Sequence, residues 1–400
     1  MKPIRGAWIC AFLSLVGIGL AGYLTFLHLG VVRGEFLGGP ACTGASEVFN
    51  CHAVTAGPWG SLLGMPLSLW GILGYLIVLG LSLWSLQSAE AAQNGLALIA
   101  VVAAGFFIID LVLLGVMMFV IKVYCLFCML TYAVNLCLLG AAVLSQPAPG
   151  GRLMQRASQA FGMLLPSGRS PASWLFCGMI LVSATAVWAV DTATTFMNRG
   201  TLKNSREQLR EFFSKQEPVD LETGGNPHKG ASPAFVRLIE FSDMLCPSCQ
   251  RASKMNAILL ANYRNDMSLV FKHYPLDQEC NPALNRNVHP GACQLAAAAS
   301  CAHLQDKFWP FHDVIFAKGR NYKVSDINTD AKRLGLDMNE FQSCMQAGKG
   351  MERVRQDVAE GNQIGVSSTP TYVVNGYPIG GGISPQVFED ILAVLKESKH

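Results

Sequence analysis

What this chain lacks most is charge. Of 400 residues, 14% are Asp, Glu, Lys or Arg, while 51% are hydrophobic and mean hydropathy is +0.33. A soluble globular protein carries about a quarter charged residues, so that class is excluded. The formal net charge of +3 is too small for an electrostatic nucleic-acid footprint, and no nucleic-acid partner is expected. The chain also lacks a nicotinamide-binding glycine motif and any evident internal repeat. Most acidic residues lie after position 190, and the first half is nearly uncharged. The pattern predicts a membrane half followed by a soluble half.

The long apolar runs are the first thing present. Residues 7–32, 61–84, 95–121, 125–144 and 173–190 each read as a membrane-crossing helix, which takes about 20 apolar residues. The first run is longer than the apolar stretch of a secretion signal, and no small-residue cleavage site follows it. With the N-terminus inside, the inner segments carry Lys2, Arg5, Arg152, Arg156 and Arg169, and the outer ones Arg33 and Lys122. That bias favours the N-terminus inside, and five spans then put the C-terminal half outside. Residues 146–172 read as a flexible inner linker and residues 191–234 as a polar tether.

Cysteine is the second. The chain has 13, many in pairs: Cys42 with Cys51, Cys125 with Cys128, Cys246 with Cys249, and Cys280 with Cys293. Under this topology all of these open to the outer side, where disulfides persist. A zinc site would need two pairs to converge, usually with histidine, and none is expected. The run Phe235–Phe241 reads as a buried strand, followed by Cys246-Pro-Ser-Cys249 at the start of a helix. A thiol at a helix N-terminus is favoured as thiolate by unsatisfied N–H groups and the helix dipole. Cys246 is therefore expected to attack disulfides, with Cys249 as the resolving thiol. The alternative is an inert staple or half a metal site.

The order strand, Cys-x-x-Cys helix, helical insertion, then Gly365-Val-Ser-Ser-Thr-Pro-Thr-Tyr372 resembles the DsbA-like branch of the thioredoxin superfamily across 235–400. The resemblance implies an α/β thioredoxin fold with a helical insertion, a cis Pro370 facing the two cysteines with Thr369 beside it, and Glu240 as a buried acid serving Cys249. Its Pro-Ser dipeptide departs from the Pro-His of the family's strongest oxidants. Cys280, Cys293, Cys301 and Cys344 allow three pairings; Cys280–Cys293 and Cys301–Cys344 are expected, as structural bonds. Phe308, Trp309 and Phe311 are expected in the core or a lid.

Residues 1–145 carry Cys42 and Cys51 in a loop, then LLGMPLSLWGILGY, then CLFCMLTYAVN. In order and spacing these resemble the vitamin K epoxide reductase family. The resemblance implies an all-α four-helix bundle around a quinone, with Cys125–Cys128 next to it. Cys51 would relay electrons to Cys125, Cys42 would meet the thioredoxin-like partner, and Tyr132 would be the quinone-side tyrosine. Asn135 continues the face of Cys125, Cys128 and Tyr132. Asp110, an acid within a span, is a candidate for proton relay to the quinone, its alternative being a carboxyl bonded to a neighbouring helix. The family's serine after the second loop cysteine is missing; Thr55 or Ser61 would have to replace it. Cys10, Cys137 and Cys177 are expected as packing residues and His28 at the interface.

The expectation is thus a quinone-dependent, disulfide-forming oxidoreductase, multi-pass in a bacterial inner membrane, with its thioredoxin-like domain in the periplasm. Its partners would be reduced exported proteins and the membrane pool of ubiquinone or menaquinone, with no metal. The alternatives are a disulfide reductase or isomerase, or a non-enzymatic membrane-anchored thiol chaperone.

Overall fold

The computed structural model describes residues 2–32, 36, 42, 48–146, 153–164 and 206–397, with scattered residues between 178 and 192. The chain divides into two compact units, with the break between Leu202 and Lys203.

Among the described residues, the membrane unit has four helices long and apolar enough to cross a bilayer: α1 (Pro3–Val32), α3 (Leu67–Ser85), α4 (Ala89–Gly115, continuing to Ile121) and α5 (Leu126–Leu144). Small residues let the backbones close up. A Cβ on Gly17 of α1 would lie 2.4 Å from the Tyr75 ring of α3, so only glycine allows that contact. Between α1 and α3 sit a short helix, α2 (Cys51–Thr55), and a hairpin of β1 (Ser61–Leu62) and β2 (Met65–Pro66). At the far end of α4 the backbone switches to a wider turn over Val116–Ile121, and Lys122 then takes a left-handed conformation (φ 58°). This ends the helix and leaves 122–125 extended before α5.

Two expectations change here. Cys125 is not inside a helix but caps one, with extended backbone (φ −110°, ψ 110°), and its sulfur accepts the Cys128 N–H at 3.1 Å. The linker after α5 contains a helix, α6 (Leu153–Leu164), that packs on α4 with Ala157 and Ala160 buried; its polar and apolar residues fall on opposite faces. The expected fifth span, 173–190, lies largely outside the described residues.

The soluble unit has a five-stranded sheet in the order β3-β5-β4-β6-β7. Its strands are β3 (His228–Gly230), β4 (Val236–Ser242), β5 (Met267–His273), β6 (Thr371–Val374) and β7 (Tyr377–Gly380). β4 pairs parallel with β5, Glu240 facing Phe271 in register, and antiparallel with β6. A parallel pair needs a crossover, which α8 (Pro247–Asn262) provides. Helices α9 (Ala292–His303), α10 (Phe308–Lys318), α11 (Ile327–Arg333), α12 (Met338–Gln346) and α13 (Lys349–Gln363) form the insertion, and α14 (Pro385–Glu397) closes the chain. Phe308 and Phe311 are core residues of the insertion, and Trp309 packs at its edge, donating its indole N–H to the His228 carbonyl. Disulfides join Cys280 to Cys293 and Cys301 to Cys344.

This unit begins earlier than the sequence suggests. A helix over 206–215, labelled α7, brings Leu209 and Phe213 onto the core, and β3 adds an edge strand to β5. Asn226, 2% exposed, donates to Asp357 at 3.0 Å and to the Phe271 carbonyl, and accepts from the fully buried Lys272. Lys272 also pairs with Glu360 at 2.7 Å. A buried charge survives only with such partners. Asn226→Ala is therefore expected to destabilise the soluble unit by about 2 kcal/mol, roughly 4–8 °C in its melting transition. A thermal melt in which the variant matches the parent would mean that this segment is only a tether.

Candidate functional site

The first thiol centre lies in the membrane unit. The segment before α2 runs beside the segment before α5. Tyr124 donates its N–H to the Val48 carbonyl at 2.8 Å and accepts from Asn50 N–H at 3.0 Å. Cys51 follows Asn50 directly, and Cys125 follows Tyr124 directly, so one backbone bridge brings both sulfurs to the same place. Asn50 also caps α2, its side chain accepting the Ala53 N–H at 3.0 Å. Cys42, Cys51, Cys125 and Cys128 fall in one buried cluster with Leu24, Leu27 and Met117, and Tyr23, Phe127 and Tyr132 pack against it. Cys125 and Cys128 are disulfide-bonded, while Cys42 and Cys51 are thiols. Cys42 is 1% exposed, and burial, then hydrogen bonding with Cys51, pushes its thiol up to about 12. In this state Cys42 is a buried thiol that favours its protonated form.

The short helix is tied to α1. Thr55 donates its hydroxyl to the Cys51 carbonyl at 2.9 Å, and the Thr55 carbonyl accepts from His28 Nδ1 at 2.8 Å. His28, near the end of α1, thus braces the short helix. Of the two stand-ins for the absent serine, Thr55 lies one helical turn from Cys51, whereas Ser61 is exposed on the hairpin. Deeper in the bundle, Asn135 donates to Asp110 at 2.9 Å and accepts from the Tyr75 hydroxyl at 2.8 Å. This knot joins α3, α4 and α5, so both ends of the Asn135 amide are occupied within the protein. Tyr75 was not singled out from the sequence; its place in the segment after the loop cysteines was the only signal. Cys10 is buried as expected, Cys137 is exposed on α5, and Cys177 lies outside the described residues.

The second centre lies in the soluble unit. Cys246 is the N-cap of α8, with Pro247 opening the helix and no side-chain cap. Its sulfur is within 3.5 Å of the Thr369 carbonyl, beside the cis Thr369–Pro370 bond. Hydrogen bonding from Cys249, then from Thr369 and the backbone N–H groups of Cys249 and Ser248, brings the Cys246 thiol down to about 5 against the cost of burial. Cys249, fully buried, goes the other way, held well above an ordinary thiol by burial. Its sulfur accepts the Asp243 N–H at 3.4 Å. Phe316 covers the pair, and Gln250 pins α10 there by donating to the Phe316 carbonyl.

Glu240 is 2% exposed, buried as the resemblance implies. Asn256 donates to it at 2.7 Å, and Tyr372 donates to Asn256 at 2.8 Å. Burial raises its carboxyl to about 7, and its charge in turn raises Cys249. A carboxyl near 7 can exchange a proton with a neighbouring thiol at neutral pH. Among the described residues no group of His, Cys, Asp or Glu is arranged to hold a metal ion.

Comparison with known proteins follows the same division. Residues 8–143 match the Vitamin K epoxide reductase family model, and residues 237–393 match the DSBA-like thioredoxin domain. The Na(+)/H(+) antiporter NhaA 3 of Salinispora tropica is 34% identical over 200 residues, 49% of this chain and 29% of that protein. NhaA of Herminiimonas arsenicoxydans is 28% identical, over 46% of this chain and 27% of its own length. The chain spans less than a third of these curated relatives. Among solved structures, oxidised BdbD from Bacillus subtilis shares 21% identity, covering 45% of this chain and 97% of its own, with a TM-score of 0.38. Wolbachia pipientis alpha-DsbA1 shares 18%, over 44% and 94%, with a TM-score of 0.37.

The raised carboxyl has a consequence for stability. Folded Glu240 binds a proton up to about pH 7, whereas the unfolded side chain releases it near 4.5. In the oxidised soluble unit, where Cys246 carries no charge, the burial that chiefly raises Glu240 remains, so stability falls as pH rises from 4.5 towards 7. Glu240→Gln should flatten that slope. Denaturation of the oxidised full chain at pH 4.5 and 7 checks this; equal slopes in both proteins would contradict it.

Proposed function

We propose that this chain, which joins a vitamin K epoxide reductase family domain to a DsbA-like thioredoxin domain, forms disulfides in exported proteins and returns the electrons to a membrane quinone. That the chain is a membrane-anchored disulfide oxidoreductase rests on its two domains. The direction is carried by Cys246. A stabilised thiolate stabilises the reduced form of the pair, which makes the Cys246–Cys249 disulfide oxidising.

A substrate thiolate attacks Cys246, the bond to Cys249 breaks, and Cys249 leaves as a thiolate that takes the Glu240 proton. The second substrate thiolate attacks the mixed disulfide and expels Cys246. Two electrons have passed to the cysteine pair. Cys246 then attacks a Cys42–Cys51 disulfide, Cys249 resolves, and the electrons move on from Cys51 to Cys125. Reduction of Cys125–Cys128 completes the transfer within the protein. The clustering of these four sulfurs supports the relay.

The apolar and aromatic lining of that cluster, with the Tyr132 phenol one turn beyond Cys128, suits a quinone headgroup. Bound there, a quinone supplies a two-electron, two-proton acceptor, so that dithiol plus quinone gives disulfide plus quinol. Tyr132 would donate to the headgroup. Asp110 and Asn135 would act behind it, as a knot that fixes α5 and as a carboxyl able to hold a proton. The domains are read as 1–145, 146–234 and 235–400, with the described soluble fold reaching back to 206. The setting is a bacterial inner membrane, N-terminus inside and thioredoxin-like domain in the periplasm.

Cys249→Ala should accumulate an intramolecular mixed disulfide between Cys246 and Cys42, seen by peptide mass spectrometry of the full chain. No such species, together with full activity of Cys42→Ala, would overturn the relay.

A further inference from the structure

The C-terminal end of α10 is built around a side chain from another helix. A helix ends with carbonyls that have no partner within it. Here Gly319 closes α10, its N–H donating to the Ile315 carbonyl, and the chain then leaves with φ 54° and ψ −133°. The Phe316 carbonyl is among those left over, and Gln250, the residue after Cys249 in α8, donates its amide to it. A Cβ on Gly319 would lie 3.0 Å from Gln250 Nε2, so glycine also leaves the room that this amide takes. Gln250 is itself fixed to the redox pair, its backbone N–H donating to the Cys246 carbonyl at 3.0 Å.

What this latch holds is an aromatic ring over sulfur. Phe316, Cys246 and Cys249 form one buried cluster. The ring is 5% exposed, and Cys246, the outer sulfur, is 7% exposed. Behind the ring the His312 imidazole stands edge-on at 4.5 Å, with an interplanar angle of 89°. His312 is buried in turn, its Nδ1 2.7 Å from Asp313. Sulfur against an aromatic ring is a favourable contact, and here it covers a reactive pair. Cys246 and Cys249 already lie one turn apart, so joining them leaves both under the ring.

We propose that Phe316, held by Gln250, makes the redox pair selective for polypeptide dithiols over small thiols. Phe316 is the specificity-determining residue and Gln250 a positioning residue; the inference rests on Cys246 being the sulfur that substrates attack. A thiolate reaches Cys246 only from a state in which the ring has moved aside. A polypeptide lays apolar and backbone groups against the uncovered ring and so recovers the cost of moving it. A small thiol makes no such contacts and is slowed by the full population of the covered state. With glutathione, one thiolate attacks Cys246 as Cys249 leaves, and a second attacks the mixed disulfide, giving oxidised glutathione and the reduced pair. A protein dithiol passes the same two electrons, so a difference between the two in their response to the cover reports access.

The test is reduction of the Cys246–Cys249 disulfide in the oxidised full chain, without added quinone, by glutathione and separately by a reduced dithiol peptide. Alkylation and peptide mass spectrometry of Cys246 read both rates. Gln250→Ala should speed glutathione about fivefold, the worth of one hydrogen bond, and the peptide by less. Phe316→Ala should go further in the same direction, while Phe316→Leu, which keeps an apolar cover, should stay nearer the parent. The proposal is overturned if glutathione is no faster in Gln250→Ala and Phe316→Ala. It is overturned too if both reductants speed up by the same factor, which marks a more reactive disulfide rather than an opened cover. A parental disulfide that the peptide leaves intact would sink the reading of Cys246 as the attacked sulfur, and the proposal with it.

Discussion

Everything in the membrane unit depends on two backbone hydrogen bonds at Tyr124. They align the strand-like ends of two segments more than 70 residues apart, and each segment then delivers a cysteine at its next residue. Side-chain contacts alone would not fix that register, because long side chains reorient at little cost. A backbone pairing does fix it, and in a site closed to water it is expensive to break. The left-handed Lys122 serves the same end, stopping α4 so that Tyr124 can lie extended. The membrane helices then act as a frame, with Asp110, Asn135 and Tyr75 tying three of them together below the sulfurs.

The soluble centre solves a different problem. Its two thiols are adjacent yet oppositely tuned, and the tuning comes from position rather than residue type. Cys246 is lowered by hydrogen bonding from Cys249, then from the Thr369 side chain and the backbone N–H groups of Cys249 and Ser248, while Cys249 is buried one turn deeper with Glu240 behind it. The outer thiol thus favours its thiolate form and the inner one its protonated form. Cys42 resembles the inner kind, a buried thiol held protonated.

Much of this was legible in the sequence. Apolar runs of membrane length and thiols at fixed spacing are local signals, and they pointed to both domains and to every cysteine in the two centres. What stayed hidden was non-local. Nothing in HKG marks it as an edge strand, because only the partner strand β5 makes it one. Asn226 read as loop because its partners Lys272 and Asp357 lie far along the chain. Tyr75 looked like one more apolar-span aromatic, and Gln250 like one more polar residue on a helix. In each case a single residue's chemistry was visible and its partner was not. Cys125 shows the reverse: the helix period around it was real, but α5 begins one residue later, so Cys125 caps the helix instead of lying inside it.

The claim at the centre is that electrons taken by Cys246 and Cys249 leave through the membrane sulfurs. The direct measurement is quinone absorbance in a mixture of purified full chain, a reduced dithiol peptide and a soluble quinone. The account predicts one quinone consumed per peptide disulfide formed, with turnover lost in Cys128→Ser. Peptide oxidation that proceeds through many turnovers with the quinone spectrum unchanged would contradict it.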